Sequence, residues 1–163
     1  MTSVIRVCVP ADAVRIAAIY NHYIERTIVT FEEQTVDAAE IERRIVATTA
    51  RWPWLVAEQD GALVGYAYAS AWKSRSAYRF AVESTIYLDP ARFGHGLGTE
   101  LYGALIADLR NRDVHCVIGG ISLPNAASIA LHEKLGFRKI GEFREVGWKL
   151  DRWVDVGYWE LIL

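Results

Sequence analysis

The sequence predicts an α/β chain: a mixed sheet with helices packed against it. Short β-branched and aromatic stretches of period two alternate with longer stretches of period 3.6. Their order, βαα, ββ(β), α, β, α, ββ, contains both hairpin neighbours and crossovers, as a mixed sheet requires. The 163 residues, 52% hydrophobic and 23% charged, can close one core without a linker or a repeat, so a single domain over residues 1–163 is expected.

Val4 to Val9 alternates and reads as the first strand. Pro10 ends it and suits the first turn of a helix from about Ala11 to Glu25, with Val14, Ala17, Ala18, Tyr20 and Ile24 as its apolar positions. After TIVTFEEQT, Thr35 reads as the N-cap of a second helix to about Ala50, with Val36, Ile41, Ile45 and Val46 facing inward. WLVAE and ALVGYAYASAW flank Asp60-Gly61, the signature of a two-residue hairpin turn. KSRSAYR leads into a strand, FAVESTIYL, that stops at Asp89-Pro90. A glycine loop opens a helix from Gly98 to about Asn111, and the strand VHCVIGGIS follows. Asn125 to Lys134 is a short helix stopped by Gly136, and FRKIGEFREVGWKL and RWVDVGYWELIL are two closing strands.

Composition narrows the function classes. A formal charge of −2 leaves no basic footprint for nucleic acid or an anionic membrane. No apolar run reaches the roughly 18 residues of a membrane span, the N-terminus lacks a signal-peptide pattern, and a cytoplasmic location is expected. Cys8 and Cys116 sit singly in apolar runs and read as reduced core thiols. Neither the four histidines nor the carboxylates show metal-ligand spacing, so no metal site is expected.

The stretch RFGHGLGTELYGAL, Arg92 to Leu105, sets three glycines before a helix, a combination suited to phosphate. A P-loop is excluded because Gly98 is followed by Thr99-Glu100 and no lysine. A dinucleotide fingerprint belongs after a first strand, whereas these glycines follow a fourth. Amides from Gly94 to Thr99 aimed at a pyrophosphate, or a connecting turn alone, remain open on this stretch. In FAVESTIYL, period two places Val82, Ile86 and Leu88 on one face and Glu83, Thr85 and Tyr87 on the other. Glu83 is thus a carboxylate in an apolar strand, suited to a general base if unpaired and to a structural ion pair if it meets Arg75 or Arg79.

LPNAASIALHEKLGF, Leu123 to Phe137, taken with GHGLG and VESTIYL, resembles the acetyl-CoA-dependent GNAT N-acetyltransferases, and within them the phosphinothricin and methionine sulfoximine acetyltransferases. NHYIERTIVTFE, PWLVAE, GYAYASAWKSRSAY and GWKLDRWVDVGYW follow the same subfamily in order, so the resemblance spans nearly the whole chain. It implies the GNAT acyl-CoA N-acyltransferase fold, a twisted six- or seven-stranded mixed sheet with about four helices, splayed to admit the pantetheine arm. It also implies acetyl-CoA as co-substrate and a small amino acid analogue as acceptor.

The resemblance makes Glu83 the general base and His132 an acid, a proton relay, or a helix-surface ring packing on the cofactor. Main-chain groups of Ile86, Tyr87 and Leu88 then bind pantetheine, the loop residues Gly94, His95, Gly96, Leu97, Gly98 and Thr99 bind pyrophosphate, and Asn125 and Ser128 touch coenzyme A. For the acceptor it implies Phe31, Lys73, Ser74, Arg75, Tyr78, Glu83, Ser84 and Thr85, with the basic pair receiving a carboxylate or a phosphinyl or sulfone oxygen. Phe93, where the family carries Gln or Arg, is the one irregular letter of the loop. A different amine or a non-catalytic acyl-CoA binding module are the alternative readings, and the aromatic-rich closing strands point to a homodimer.

Overall fold

The computed structural model describes residues 3–92, 94 and 96–163, so the loop positions Phe93 and His95 lie outside the described residues. The elements are β1 (Ser3–Val7), α1 (Ala13–Arg26), α2 (Ala38–Thr49), β2 (Trp54–Gln59), β3 (Ala62–Ala71), β4 (Ala81–Leu88), α3 (Leu97–Arg110), β5 (Cys116–Leu123), α4 (Ala126–Lys134), β6 (Arg138–Lys149) and β7 (Arg152–Ile162). The seven strands form one sheet in the order β1-β2-β3-β4-β5-β7-β6. Every neighbouring pair is antiparallel except β4 and β5, which are joined through the crossover helix α3 and run parallel.

Local chemistry explains the boundaries. Pro10 opens a short 3-10 turn at the head of α1, and Asp12 accepts from the Val9 amide at 2.9 Å while Arg6 grips both of its carboxylate oxygens at 2.8 Å. Asp60 and Gly61, both at positive φ, make the β2–β3 turn. Gly136, at φ 93°, ends α4.

Two helix readings are corrected. The inward stripe of α1 is Ile16, Ile19 and Tyr23, while Val14 and Ala18 face solvent, because small residues around the helix let the sequence fit two phases and the bulky isoleucines decide. The N-cap of α2 is Asp37 rather than Thr35: its carboxylate accepts from the Glu40 amide at 2.7 Å, so the helix begins at Ala38, and Val46 lies outside the buried pair Ile41 and Ile45.

The sheet separates two apolar cores. On one face Val82, Val117, Ile121 and Trp159 pack against Leu101, Tyr102 and Leu105 of α3. On the other, Val56, Tyr66 and Trp54 pack against Ile16, Ile19 and Tyr23 of α1 and Ile41 and Ile45 of α2. The alternation of β4 follows suit: Val82 joins the α3 core and Tyr87 packs against the α1 core. Asp37→Ala should cost about 1 kcal/mol of stability and Thr35→Ala a few tenths at most; urea midpoints compare the two.

Candidate active site

β4 and β5 pair at only three positions, Ala81 with Cys116, Val82 with Val117 and Glu83 with Ile118. Beyond Glu83 they part, although β4 stays paired to β3 as far as Leu88 and β5 stays paired to β7 as far as Leu123. The inner edges of two strands thus face a cleft, and their main-chain donors and acceptors there need partners other than each other. One is occupied: the Leu88 carbonyl accepts from the Tyr23 hydroxyl at 2.6 Å.

One arm of the cleft is a mostly apolar cavity of about 550 Å³. Ile86, Tyr87 and Leu88 of β4 form one wall, and Asn125, Ser128 and Leu131 of α4 form the other. Its far end is the glycine loop, with Gly94, Gly96, Leu97, Gly98 and Thr99 in the lining. Gly94 and Gly96 take φ of 103° and 80°, which a side chain would strain, and Gly96 caps α3. The first turn of α3 directs unpaired N–H groups and the positive end of the helix dipole to the same place. Such an end binds a phosphate, and the long apolar trough behind it accommodates an extended arm; the donor set fits a pyrophosphate-bearing thioester carrier. Asn125 also caps α4, its Oδ1 accepting from the Ser128 amide at 3.1 Å.

The second cavity, about 420 Å³, adjoins the first at Val29, Ile86, Tyr87, Asn125 and Ser128. Glu83, Ser84, Thr85, His132 and Phe31 line it, with Tyr158 and Val156 of β7 opposite. Burial alone raises the Glu83 pKa above the ordinary carboxylate range. Neither Arg75 nor Arg79 pairs with Glu83 among the described residues. Glu83 is thus a half-buried carboxylate with no cation beside it among the described residues, in the wall of the second cavity.

Lys73, Ser74, Arg75 and Tyr78 stand apart from this lining. They are exposed on the β3–β4 connection, with a 3-10 turn at Ser76–Tyr78, near the Glu83 end of β4 but outside both cavities. Lys73 lies over the Trp72 ring at 5.4 Å.

On the opposite face of the cleft, His132 is only 4% exposed, which disposes of a helix-surface ring. Its Nδ1 donates to the Ser128 carbonyl at 2.7 Å, a group that can only accept, so the neutral ring presents Nε2 as an acceptor. The Tyr102 hydroxyl donates to Nε2 at 3.0 Å, and Ser84 Oγ donates to the Tyr102 oxygen at 2.6 Å. Burial lowers the His132 pKa, keeping the ring neutral near pH 7. Ser84, Tyr102 and His132 form a continuous chain of proton-exchanging groups, two of them in the cavity wall.

Tyr102, the pair Gly119-Gly120 and the β7 wall residues Val156 and Tyr158 are among the residues that the sequence reading passes over. A Cβ on Gly119 would lie 2.5 Å from His132 Nε2, and one on Gly120 would lie 3.6 Å from a Glu83 oxygen and 3.3 Å from the Tyr158 ring. Adjacent strand residues point to opposite faces, so the two glycines make room for the histidine on one side and clear space beside the carboxylate on the other. Two glycines inside an otherwise β-branched strand were the available signal. Gly119→Ala should displace the His132 ring and cost about 1–3 kcal/mol, whereas Gly141→Ala, with nothing within 4 Å, should leave the urea midpoint nearly unchanged.

Among the described residues no group of three or more metal-ligating side chains occurs, and no helix is long and apolar enough to cross a membrane. The family profile "Acetyltransferase (GNAT) domain" matches residues 5–157. A phosphinothricin N-acetyltransferase of Streptomyces viridochromogenes is 39% identical over 156 residues, covering 96% of this chain and 85% of that one. An L-methionine sulfoximine/L-methionine sulfone acetyltransferase of Salmonella typhimurium is 37% identical over 163 residues, covering 98% and 94%. The crystal structure of a GNAT superfamily phosphinothricin acetyltransferase from Sinorhizobium meliloti in complex with acetyl-CoA superposes with a TM-score of 0.96 at 37% identity, over 100% of this chain and 89% of that one. With its splayed parallel pair, its glycine-capped crossover helix and these whole-length relatives, the chain belongs to the GNAT acetyltransferase family.

Proposed function

We propose that the protein transfers the acetyl group of acetyl-CoA to the α-amine of a small amino acid analogue of the phosphinothricin, methionine sulfoximine or methionine sulfone type. The observation that carries the reading is the junction of the two cavities at Ile86, Tyr87, Asn125 and Ser128, beyond the point where β4 and β5 separate, with Glu83 in the wall of the second. Relatives named for these acceptors match across nearly the full chain and support the acceptor class. The first cavity takes acetyl-CoA, its phosphates at Gly94 to Thr99 and its pantetheine along Ile86 to Leu88; the second takes the acceptor.

An acceptor ammonium gives up two protons as the amide forms. Glu83 takes the first, freeing the nitrogen lone pair to attack the thioester carbonyl, and the C–S bond breaks as the C–N bond forms. The second passes from the nitrogen to the departing sulfur, which leaves as the thiol beside the cavity wall that Ser84 and His132 line. Lys73 and Arg75, exposed beside the Glu83 end of β4, are the cations available to an acceptor carboxylate or phosphinyl group. No metal takes part in this scheme. The compartment is the cytoplasm.

The chain acts as a homodimer. Phe143, Val146, Trp148, Leu150 and Trp153 on the β6–β7 hairpin are all more than half exposed, Trp153 by 61%, and Trp148 and Trp153 stack edge to face at 4.9 Å. Such a patch on a sheet end matches the apolar centre of a two-fold interface. Light scattering should give twice the monomer mass; a monomer at micromolar concentration contradicts the assignment.

Glu83→Gln should lower turnover by about 10² to 10⁴ while acetyl-CoA still binds. Because the native pKa is raised, the carboxyl is protonated, and inactive as a base, up to a pH above the ordinary carboxylate range; wild-type kcat/KM should fall as pH drops through that raised value. The same shift makes the ionised group a burden on the fold that grows as pH rises from the unfolded pKa, so Glu83→Gln should melt no lower than wild type at pH 7. Thiol release from acetyl-CoA with the three acceptors tests the substrate. Turnover of another amine and none of these would overturn the acceptor class; undiminished turnover by Glu83→Gln would remove Glu83 from the chemistry.

A further inference from the structure

Lys149, the last residue of β6, is 3% exposed, although lysine is among the residues least often buried. Its Nζ donates to the Thr30 carbonyl at 2.6 Å and approaches the Tyr23 carbonyl at 3.5 Å. Burial pulls its pKa down, and the charges of Glu33 and Glu32 pull it back up. An ammonium held in such a place by main-chain carbonyls is expensive, and an apolar side chain would fill the same space with less desolvation. What the lysine does that methionine cannot is fix the position of a loop.

That loop connects α1 to α2 and carries Val29, Thr30 and Phe31 into the second cavity. It is pinned on both sides of Phe31. Before it, Lys149 holds the Thr30 carbonyl; after it, Arg44 grips the two Glu32 oxygens at 2.9 and 2.7 Å, and Tyr20 bonds both the Thr30 hydroxyl, at 2.8 Å, and Glu32. The Phe31 ring lies over Gly147, two residues before Lys149, where a Cβ would come within 2.3 Å of it. One end of the β6–β7 hairpin therefore holds the aromatic wall of the second cavity through a glycine seat and a buried ammonium.

We propose that Lys149 is a positioning residue for the acceptor: by holding the Thr30 carbonyl, it sets Phe31 in the wall of the second cavity and so governs acceptor affinity without touching acetyl-CoA. The inference rests on the second cavity being the acceptor site. Lys149 lines neither cavity, so its effect is exerted through the loop.

The test compares wild type, Lys149→Met and Gly147→Ala in steady-state kinetics with methionine sulfoximine and acetyl-CoA varied in turn. Gly147→Ala leaves the ammonium in place and displaces Phe31 from its seat, so it reaches the same loop by an independent contact. Both variants should raise the acceptor KM by about tenfold or more and leave the acetyl-CoA KM within about twofold. Amide hydrogen exchange in residues 27–33 should speed up in Lys149→Met, while exchange in α3 stays as in wild type. An unchanged acceptor KM in a folded Lys149→Met protein overturns the proposal, as does an equal rise in both KM values, which a purely structural role would give. If Lys149→Met does not fold, Lys149→Gln takes its place in the same KM comparison. If wild type turns over no acceptor of this class, the acceptor assignment has failed, and the exchange measurement alone decides whether Lys149 holds the loop.

Discussion

The organising constraint is the loss of pairing between β4 and β5 after Glu83. Parallel strands joined by a crossover helix ordinarily continue side by side; here the outer neighbours take them apart, β3 holding β4 and β7 holding β5 over their full described lengths. The separation leaves main-chain groups of Ser84 to Leu88 facing a cleft, which a ligand with its own amides can satisfy. It also fixes where everything else must stand. The crossover from β4 delivers the glycine loop and the head of α3 to one mouth of the cleft, and α4 covers the other wall. Glu83, at the last paired position, stands in the wall of the second cavity, and the two cavities meet further along β4 at Ile86 and Tyr87.

The sheet further divides the titratable groups of the second cavity between its faces. Glu83 and Ser84 are neighbours in sequence and point oppositely, one towards Tyr158 and the space beside Gly120, the other into the hydrogen-bonded chain of Tyr102 and His132. Only at the splay can both faces be reached from one cavity. Burial shifts both titrating groups towards their neutral forms: the raised Glu83 pKa makes its carboxylate the stronger proton acceptor when ionised, and the lowered His132 pKa leaves Nε2 bare to accept from Tyr102.

Much of the scaffold was readable from the sequence, because its signals are local. Asp60-Gly61 makes its hairpin, Pro10 and Gly136 bound their helices, and the alternation of FAVESTIYL separates Glu83 from Val82 as drawn. Helix phase was less legible where alanine allowed two answers, and Thr35, read as the cap of α2, gave way to Asp37 two residues on. The described residues that the resemblance assigns to cofactor binding, from Ile86 to Ser128, come together in one cavity. What the sequence concealed depends on contacts through space. Tyr102 matters because it bridges two residues 18 and 30 positions away, Gly119 because of a histidine on another element, and Lys149 because it is buried against a carbonyl 119 positions away. The basic residues of WKSRSAY were assigned to the acceptor by resemblance, yet they lie exposed on the β3–β4 connection and line neither cavity.

The most direct test of the account is a crystal structure of the protein with acetyl-CoA bound. The predicted result is a pantetheine arm lying between β4 and β5, bonded to the main chain of Ile86 to Leu88, with its pyrophosphate at Gly94 to Thr99 and its thioester beside Glu83. A cleft closed by further β4–β5 pairing, or a cofactor lodged outside it, would contradict the account.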